Sequence, residues 1–148
     1  MSTPHALPRV STRYIRETCL CVRVQRAARA LARHFDDALR DAGLTHGQFS
    51  LLVALDHGDA PTIGEVSAAL AMDRTTLTAA LKPLERRGLV KVTVDRLDRR
   101  SRLMKLTAKG GRLLARAAPI WEDTHREVES LLADGNPEGL RNNLRALS

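Results

Sequence analysis

Residues 73–107 read "DRTTLTAALKPLERRGLVKVTVDRLDRRSRLMKLT" and change their hydrophobic period part-way along. In the first part an apolar residue recurs every three or four positions, at Leu77, Ala80, Leu81 and Leu84. This spacing predicts an amphipathic helix with Asp73 as its N-cap. After Gly88 apolar and polar residues alternate, first at Val90, Val92 and Val94 and then along "RLMKLT". The alternation predicts two strands joined as a β-hairpin.

The tip of this hairpin is highly charged. Residues 95–101, "DRLDRRS", hold three arginines and two aspartates. The wider stretch 82–105 contains nine lysines and arginines and three acids, so it carries +6 of the formal net charge of +7. Such a localised positive patch indicates a polyanionic partner. Only four of the 148 residues are aromatic, too few for the base-stacking platforms of single-strand readers, so double-stranded DNA is the favoured partner.

Composition narrows the class of protein further. A chain with 43% hydrophobic and 28% charged residues is typical of a globular domain. No apolar run is long enough to cross a bilayer, and the first residues lack the apolar region of a signal peptide, so we expect a cytoplasmic protein without a membrane partner. Two cysteines without CxxC spacing predict neither a disulfide framework nor a zinc site.

A long helix is predicted before the helix and hairpin of residues 73–107. It runs from Tyr14 to Ala42, with Gly43 as its C-terminal cap. Its buried stripe would comprise Leu20, Val24, Ala27, Leu31, Phe35, Ala38 and Ala42. Residues 1–12, with two prolines and mostly polar side chains, are predicted to form a flexible arm.

Capping residues predict four more helices, beginning after Thr45, Thr62, Thr107 and Asn136. The Thr45 helix should end near Gly58. The Thr62 helix has Glu65 in position for a capping box and should bury Val66, Ala69 and Leu70. Two prolines fall inside predicted helices, where a missing N–H and a steric clash disfavour them. We expect a kink or a tight last turn at Pro83 and a bend at Pro119.

The order of these elements is that of a winged helix-turn-helix. Two short helices brace a third, whose polar face can enter a major groove about 12 Å wide, while a hairpin tip reaches the neighbouring minor groove. The predicted fold class is mainly α with a small β-hairpin. Residues 45–106 would form the DNA-binding module, and residues 13–44 and 107–148 a helical dimerisation region. The long apolar stripes of that region exceed what one module can bury, so a second copy should cover them.

The sequence also resembles a known family, the multiple antibiotic resistance regulators (MarR family). The resemblance covers roughly residues 14–148 and is carried by "LTHGQFSLL", "TIGEVSAALAMDRTTLTAALKPLERRGLV" and "DRLDRRSRLMKLTAKGG". It implies a homodimeric transcription factor that binds a pseudo-palindromic operator and is released by a small ligand or an oxidant. It also implies that the fourth predicted helix is the recognition helix, and that Asp98 and Arg100 match the acid and arginine of the wing motif. Leu97 departs from that motif, which is usually more polar between its aspartates.

Candidate DNA-binding residues follow from both lines of reasoning. On the recognition helix they are Arg74, Thr75, Thr76, Thr78 and Lys82, and on the wing they are Arg96, Asp98, Arg99 and Arg100. An ordinary solvated surface is the alternative for each set, but three threonines on one exposed helix face and three arginines on one turn favour contact with DNA. Asp95 and Asp98 would not face phosphates. They are expected to pair with arginines and to shape the loop.

Cys19 and Cys21 are candidate redox-sensing thiols. The segment "LCVRVQRAAR", residues 20–29, is similar to the first helix of organic hydroperoxide resistance regulators, in which the cysteine matching Cys21 senses peroxide. Those sensors use nearby tyrosines, whereas this chain has only Tyr14. The alternative is that both cysteines are small buried hydrophobic residues. Two positions apart on a continuous helix they would point about 200° apart and could not form a disulfide with each other.

No enzyme, metal or cofactor is predicted. Glu122, His125 and Glu129 have ExxH spacing, but a di-metal site needs a second such motif, so a surface row of ion pairs is expected. We therefore predict a dimeric, sequence-specific regulator, acting as a repressor, with an effector crevice between the first, second and fifth predicted helices. The alternatives are a non-specific architectural DNA-binding protein and, remotely, a thiol peroxidase that uses Cys21.

Overall fold

A computed structural model describes residues 10–56 and 58–148, so most of the predicted arm at residues 1–12 lies outside the described residues. Seven α-helices, one short 3-10 helix and two strands occur in this part of the chain. In order they are α1 Thr12–Thr18, α2 Leu20–Leu39, the 3-10 helix Arg40–Ala42, α3 His46–Ala54, α4 Ile63–Ala69, α5 Arg74–Arg86, β1 Val90–Val94, β2 Arg102–Leu106, α6 Ala108–Ser130 and α7 Pro137–Arg145. The predicted class, mainly α with one hairpin, is confirmed.

The predicted first helix is wrong in its continuity. Its residues form α1 and α2, separated by Cys19, whose backbone is extended at φ −61° and ψ 108°. The Cys19 N–H still bonds to the Ile15 carbonyl, and its own carbonyl accepts from the Arg23 N–H, so only one residue leaves the helical path. Apolar spacing does not detect such a break because the stripe resumes in nearly the same phase.

The predicted capping residues begin their helices as expected. The Thr45 hydroxyl accepts from the Gln48 N–H, the Thr107 hydroxyl from the Gly110 N–H, and the Asn136 side chain from the Gly139 N–H. Thr62 and Glu65 form the predicted capping box, and their hydrogen bonds hold the pKa of Glu65 below its usual value. The end of α3 differs, since the helix stops at Ala54 rather than near Gly58.

The hairpin pairs in antiparallel register from Val90 with Leu106 at its base to Val94 with Arg102 at its tip. A further bridge joins Thr62 to Leu103, and the Met104 N–H donates to the Pro61 carbonyl at 2.9 Å. Thr62, the residue before α4, thus extends the two-stranded sheet by one bridge beside β2. The alternating pattern did not predict this extension. This bridge anchors the wing to the start of α4.

One hydrophobic core holds these elements together. Its fully buried large side chains are Leu39, Leu51, Leu52, Leu55, Leu77, Leu84, Leu89 and Met104. They come from α2, α3, α5, the hairpin and the loops beside them, and α6 adds Leu114 and Ala117. In α4 the prediction was wrong at Ala69, which is exposed, and right at Val66, which is buried. The helix is only seven residues long, so its contact face is narrower than a full stripe.

The two internal prolines do not interrupt their helices. Helix α5 passes through Pro83 and ends three residues later, with the Arg87 N–H bonded to the Pro83 carbonyl. That bond spans four residues as in any α-helix, and a tighter turn follows it, where the Gly88 N–H bonds to the Glu85 carbonyl three residues back at 2.9 Å. Helix α6 continues through Pro119 from Ala108 to Ser130. The exposed face of α5 therefore belongs to one uninterrupted helix, from Arg74 to Arg86.

The turn between α4 and α5 holds a strained residue, Ala71, at φ +49°. A Cβ atom in the left-handed region costs about 1–2 kcal/mol, and glycine avoids that cost. The greater entropy of glycine in the unfolded chain offsets part of this gain, so we expect Ala71→Gly to raise the free energy of unfolding by roughly 0.5–1 kcal/mol in urea titrations. Ala69→Gly, at the last residue of α4, is the matched control and should lower it, by up to about 1 kcal/mol. Equal destabilisation by both changes would contradict the strain at Ala71.

Candidate nucleic-acid interface

The N-terminal half of α5 is exposed and built around Asp73. Its carboxylate accepts from the Thr76 N–H at 2.8 Å and from the Thr76 hydroxyl at 2.6 Å, and these bonds lower the pKa of Asp73. The Thr78 hydroxyl donates to the Arg74 carbonyl at 2.7 Å. Two of the three candidate threonines therefore use their hydroxyl protons within the helix. Arg74 and Lys82 keep side-chain donors that can face a ligand.

The wing is shaped by its two aspartates. The Asp95 carboxylate accepts from the Leu97 N–H at 2.9 Å, and the Asp98 carboxylate accepts from the Arg100 N–H at 3.0 Å. The backbone closes the loop with bonds from Asp95 to Ser101 and from Ser101 to Asp98. The expectation that these aspartates shape the loop is confirmed. The expectation that they pair with arginines is wrong, because local backbone N–H groups reach the carboxylates first.

Three candidate arginines on the wing, Arg96, Arg99 and Arg100, are exposed. None of them makes a salt bridge within residues 10–56 and 58–148. Their three positive charges exceed the two negative charges of Asp95 and Asp98, so the loop keeps a net positive charge that attracts a polyanion. Leu97 stands among them with 97% of its surface exposed.

The wing and α5 face the same cleft, of about 380 Å³, in keeping with the winged helix-turn-helix arrangement predicted from the sequence. Its lining residues are Thr62, Ile63, Gly64, Arg74, Thr78, Asp98, Arg100, Ser101 and Arg102. Arg74 lies across the start of α4, where its guanidinium nitrogen is 3.0 Å from the place a Cβ would occupy on Gly64. Arg96 and Arg99 line a second, adjoining hollow at the tip, whereas Thr75, Thr76 and Lys82 line neither.

Sequence reasoning missed five of the nine lining residues as site residues, namely Thr62, Ile63, Gly64, Ser101 and Arg102. The Arg102 guanidinium donates to the carbonyls of Arg99 and Ser101, so it supports the wing from the first residue of β2. Gly64 leaves the space that the Arg74 guanidinium occupies. A glycine at the second position of a helix is the signal that could have indicated a close approach.

The cysteines lie away from this cleft. Cys21 is exposed, and its sulfur lies 3.3 Å from the Gln25 side-chain nitrogen, while Cys19 is partly buried. The expectation of two buried hydrophobic residues is wrong for Cys21 in the single chain. Because Cys19 is outside the helix, the geometric argument against a bridge between the two, which assumed a continuous helix, no longer holds.

The ExxH residues lie in a row of ion pairs, as expected. His125 is 3.2 Å from Glu129, which also accepts from Arg141 of α7 at 2.6 Å, and Glu122 pairs with Arg126. The Arg141 bond is the main cause of the lowered pKa of Glu129. Within the described ranges no three potential metal ligands come together, and none of the helices there combines the length and hydrophobicity of a membrane span.

Comparison with known proteins places this arrangement in a family. A profile described as MarR family matches residues 42–101. The crystal structure of the Mycobacterium tuberculosis transcriptional regulator MosR in complex with DNA superposes with a TM-score of 0.79 at 37% identity, covering 87% of this chain and 92% of that one. The chain belongs to the MarR family. The family resemblance and the winged-helix fold predicted from the sequence are thereby confirmed.

Curated relatives extend the MarR-family likeness. The organic hydroperoxide resistance transcriptional regulator of Bacillus subtilis is 29% identical over 104 residues, 70% of this chain and 71% of that protein. The regulator TtmR of Methylorubrum extorquens is 36% identical over 91 residues, which are 62% of this chain and 47% of TtmR. The chain thus matches about half the length of TtmR.

Proposed function

We propose that this MarR-family protein is a homodimeric, sequence-specific transcriptional repressor of the cytoplasm. The observation that carries the proposal is the shared cleft, which Arg74 of α5 and Arg100 of the wing both line and in which neither forms a salt bridge with the acids of residues 10–56 and 58–148. A helix for the major groove and an arginine-bearing loop for the adjacent minor groove fit one face of a duplex. The MosR structure with DNA supports a DNA ligand for this chain.

Dimerisation explains two helices that the single chain leaves uncovered. Neither α1 nor α7 contains a buried residue. Large apolar side chains are exposed on α1, α2 and the end of the chain, namely Tyr14, Ile15, Leu20, Val22, Val24, Leu31, Leu131, Leu140, Leu144 and Leu147. A monomer seldom exposes so much contiguous apolar surface, so we assign residues 13–44 and 107–148 to a dimer interface and 45–106 to the DNA-binding module.

Sequence preference tests the function. A regulator should bind its own upstream region about a thousandfold or more tighter than random DNA at fixed salt concentration. A competition titration with labelled operator and unlabelled random duplex measures this ratio. A ratio near one would favour the alternative, a non-specific architectural protein. The direction of control follows from a reporter gene, whose expression should rise when the protein is deleted.

An apolar cleft offers a place for an effector. It has a volume of about 490 Å³ and is lined by Phe49, Ser50, Val53, Ala54, Leu70 and Trp121. The Trp121 ring stacks on His125 with ring centroids 4.6 Å apart. The centroid of the Phe49 ring lies 6.2 Å from that of Trp121. The cleft lies between α3, the end of α4 and α6. The crevice predicted from the sequence lay instead between α2, α3 and α6. We infer an aromatic or apolar small molecule that alters the spacing of the two recognition helices by binding one spacing better.

Oxidation is a second route to release, supported by the exposed Cys21 thiol and the likeness to the Bacillus subtilis hydroperoxide regulator. We expect cumene hydroperoxide to lower operator affinity at least tenfold in the wild-type protein and to leave Cys21→Ser unchanged. Electrophoretic mobility shift measures the affinity, with Cys19→Ser as the control for the neighbouring thiol. Release of the Cys21→Ser protein by peroxide would exclude Cys21 as the sensor, and catalytic turnover of peroxide with a thiol reductant would favour the peroxidase alternative.

A further inference from the structure

A second positive cleft lies at the base of the hairpin, away from the wing tip. It has a volume of about 470 Å³, and its lining residues are Ala42, Arg87, Leu89, Lys109, Arg112, Leu113 and Arg116. None of these residues lines the cleft between α5 and the wing. The two clefts include residues from opposite ends of the hairpin, whose five residue pairs span about 13 Å.

The four basic residues of this cleft have no carboxylate partner among residues 10–56 and 58–148. Some exposed arginines elsewhere do pair, such as Arg13 with Glu17 and Arg141 with Glu129 and Glu138, while those of the wing do not. Residues 107–121, the first half of α6 and its cap, contain no acid at all. Four like charges around one concave surface repel each other, and a bound anion would relieve that repulsion.

Two of the cations are already positioned by the fold. Arg87 donates to the Gly43 carbonyl at 2.8 Å, and Lys109 donates to the Arg87 carbonyl at 2.7 Å. Arg112 and Arg116 make no side-chain hydrogen bond within the described ranges and lie one helical turn apart, so both can face the same ligand. Ala42, Leu89 and Leu113 supply apolar lining beside these charges.

We propose that this cleft binds a phosphate group, with Arg112 and Arg116 as the principal ligands and Arg87 and Lys109 as supporting charges. Arginine forms bidentate hydrogen bonds with phosphate oxygens, which suits an exposed site better than point charges alone. The apolar lining favours a phosphate ester of an organic molecule over the bare ion. The phosphate could come from such a small molecule or from a DNA backbone that passes the hairpin base.

A ligand bound in this cleft would contact the C-terminal end of α5, the proposed recognition helix. The cleft is bounded by the 3-10 helix that follows α2, by the C-cap of α5 and by α6. Binding would therefore tie the recognition helix to the two long helices of the proposed dimerisation region. Differential affinity for two orientations of α5 would couple the site to DNA binding.

Calorimetric titration of the full-length protein with inorganic pyrophosphate, in the absence of DNA, tests the site. We expect saturable binding of one pyrophosphate per chain, weakened at least tenfold in Arg112→Ala/Arg116→Ala. The matched control is Arg29→Ala/Arg33→Ala, which removes two exposed arginines at the same spacing from α2 and should stay within twofold of wild type. Failure of pyrophosphate to saturate the protein, or equal weakening by both pairs, would overturn a small-molecule site.

A second titration distinguishes the source of the phosphate and uses duplex DNA at several salt concentrations. If the backbone of DNA fills the cleft, Arg112→Ala/Arg116→Ala lowers the slope of log K against log[salt] by about 0.9 for each lost phosphate contact, and the control pair does not. An unchanged slope together with saturable pyrophosphate binding assigns the site to a small molecule. An unchanged slope without pyrophosphate binding excludes the site altogether, and because the pyrophosphate titration contains no DNA, its result does not depend on whether the protein binds an operator.

Discussion

Changing Leu140 and Leu144 to aspartate is expected to convert the dimer to a monomer and to lower operator affinity at least a hundredfold. Both leucines are 42% exposed in the single chain and lie one turn apart on α7, and Leu147, just beyond the helix, is exposed as well. Burying a leucine side chain stabilises an interface by about 1.5–3 kcal/mol, and a carboxylate in its place brings an uncompensated charge into that interface. Loss of the second recognition helix then removes an avidity of about 10²–10⁴.

Sedimentation velocity measures the oligomeric state of this variant, and a mobility shift measures its affinity. The control is Arg145→Asp, which changes the net charge by the same two units about 130° around α7 from the leucine face. It should remain dimeric. A double aspartate variant that sediments as a dimer would show that α7 is not part of the interface.

The second large effect is expected for Arg100→Ala, which should weaken operator binding at least thirtyfold while the dimer stays intact. Arg100 lines the cleft with Arg74, and its backbone N–H is held by the Asp98 carboxylate. Loss of one arginine contact with DNA costs about 1–3 kcal/mol, and a dimer has two wings, so the cost counts twice. Fluorescence anisotropy with labelled operator gives the affinity.

The salt dependence of that affinity shows what Arg100 touches. If it binds phosphates, the slope of log K against log[salt] falls by about 1 for each wing, whereas a base contact relaxes sequence preference and leaves the slope nearly unchanged. Arg33→Ala on α2 removes the same charge far from the wing and should retain wild-type affinity. An Arg100→Ala protein with unaltered affinity and slope would remove the wing from the interface.

Elements were predictable where local chemistry decides them. Thr45, Thr62, Asp73, Thr107 and Asn136 cap their helices because each side chain needs only the N–H groups of the next turn. The hairpin followed from alternation of apolar and polar residues, and its base at Val90 is buried as that pattern requires.

Features that depend on distant or single-residue geometry escaped the sequence. The break at Cys19 changes one backbone angle and leaves the apolar period intact. The aspartates of the wing choose backbone N–H groups over arginines, and composition cannot distinguish these partners. The basic cleft draws on residues near 42, 87 and 112, which only the folded chain brings together.

The spacing of protected bases on an operator tests the central claim most directly, which is that two copies of α5 and its wing read one face of a duplex. Hydroxyl-radical footprinting on DNA selected with the purified protein should show two related half-sites, their centres about 34–36 Å or a multiple of that apart, with minor-groove protection where each wing lies. Protection of a single half-site by the dimer, or uniform protection without half-sites, would contradict it.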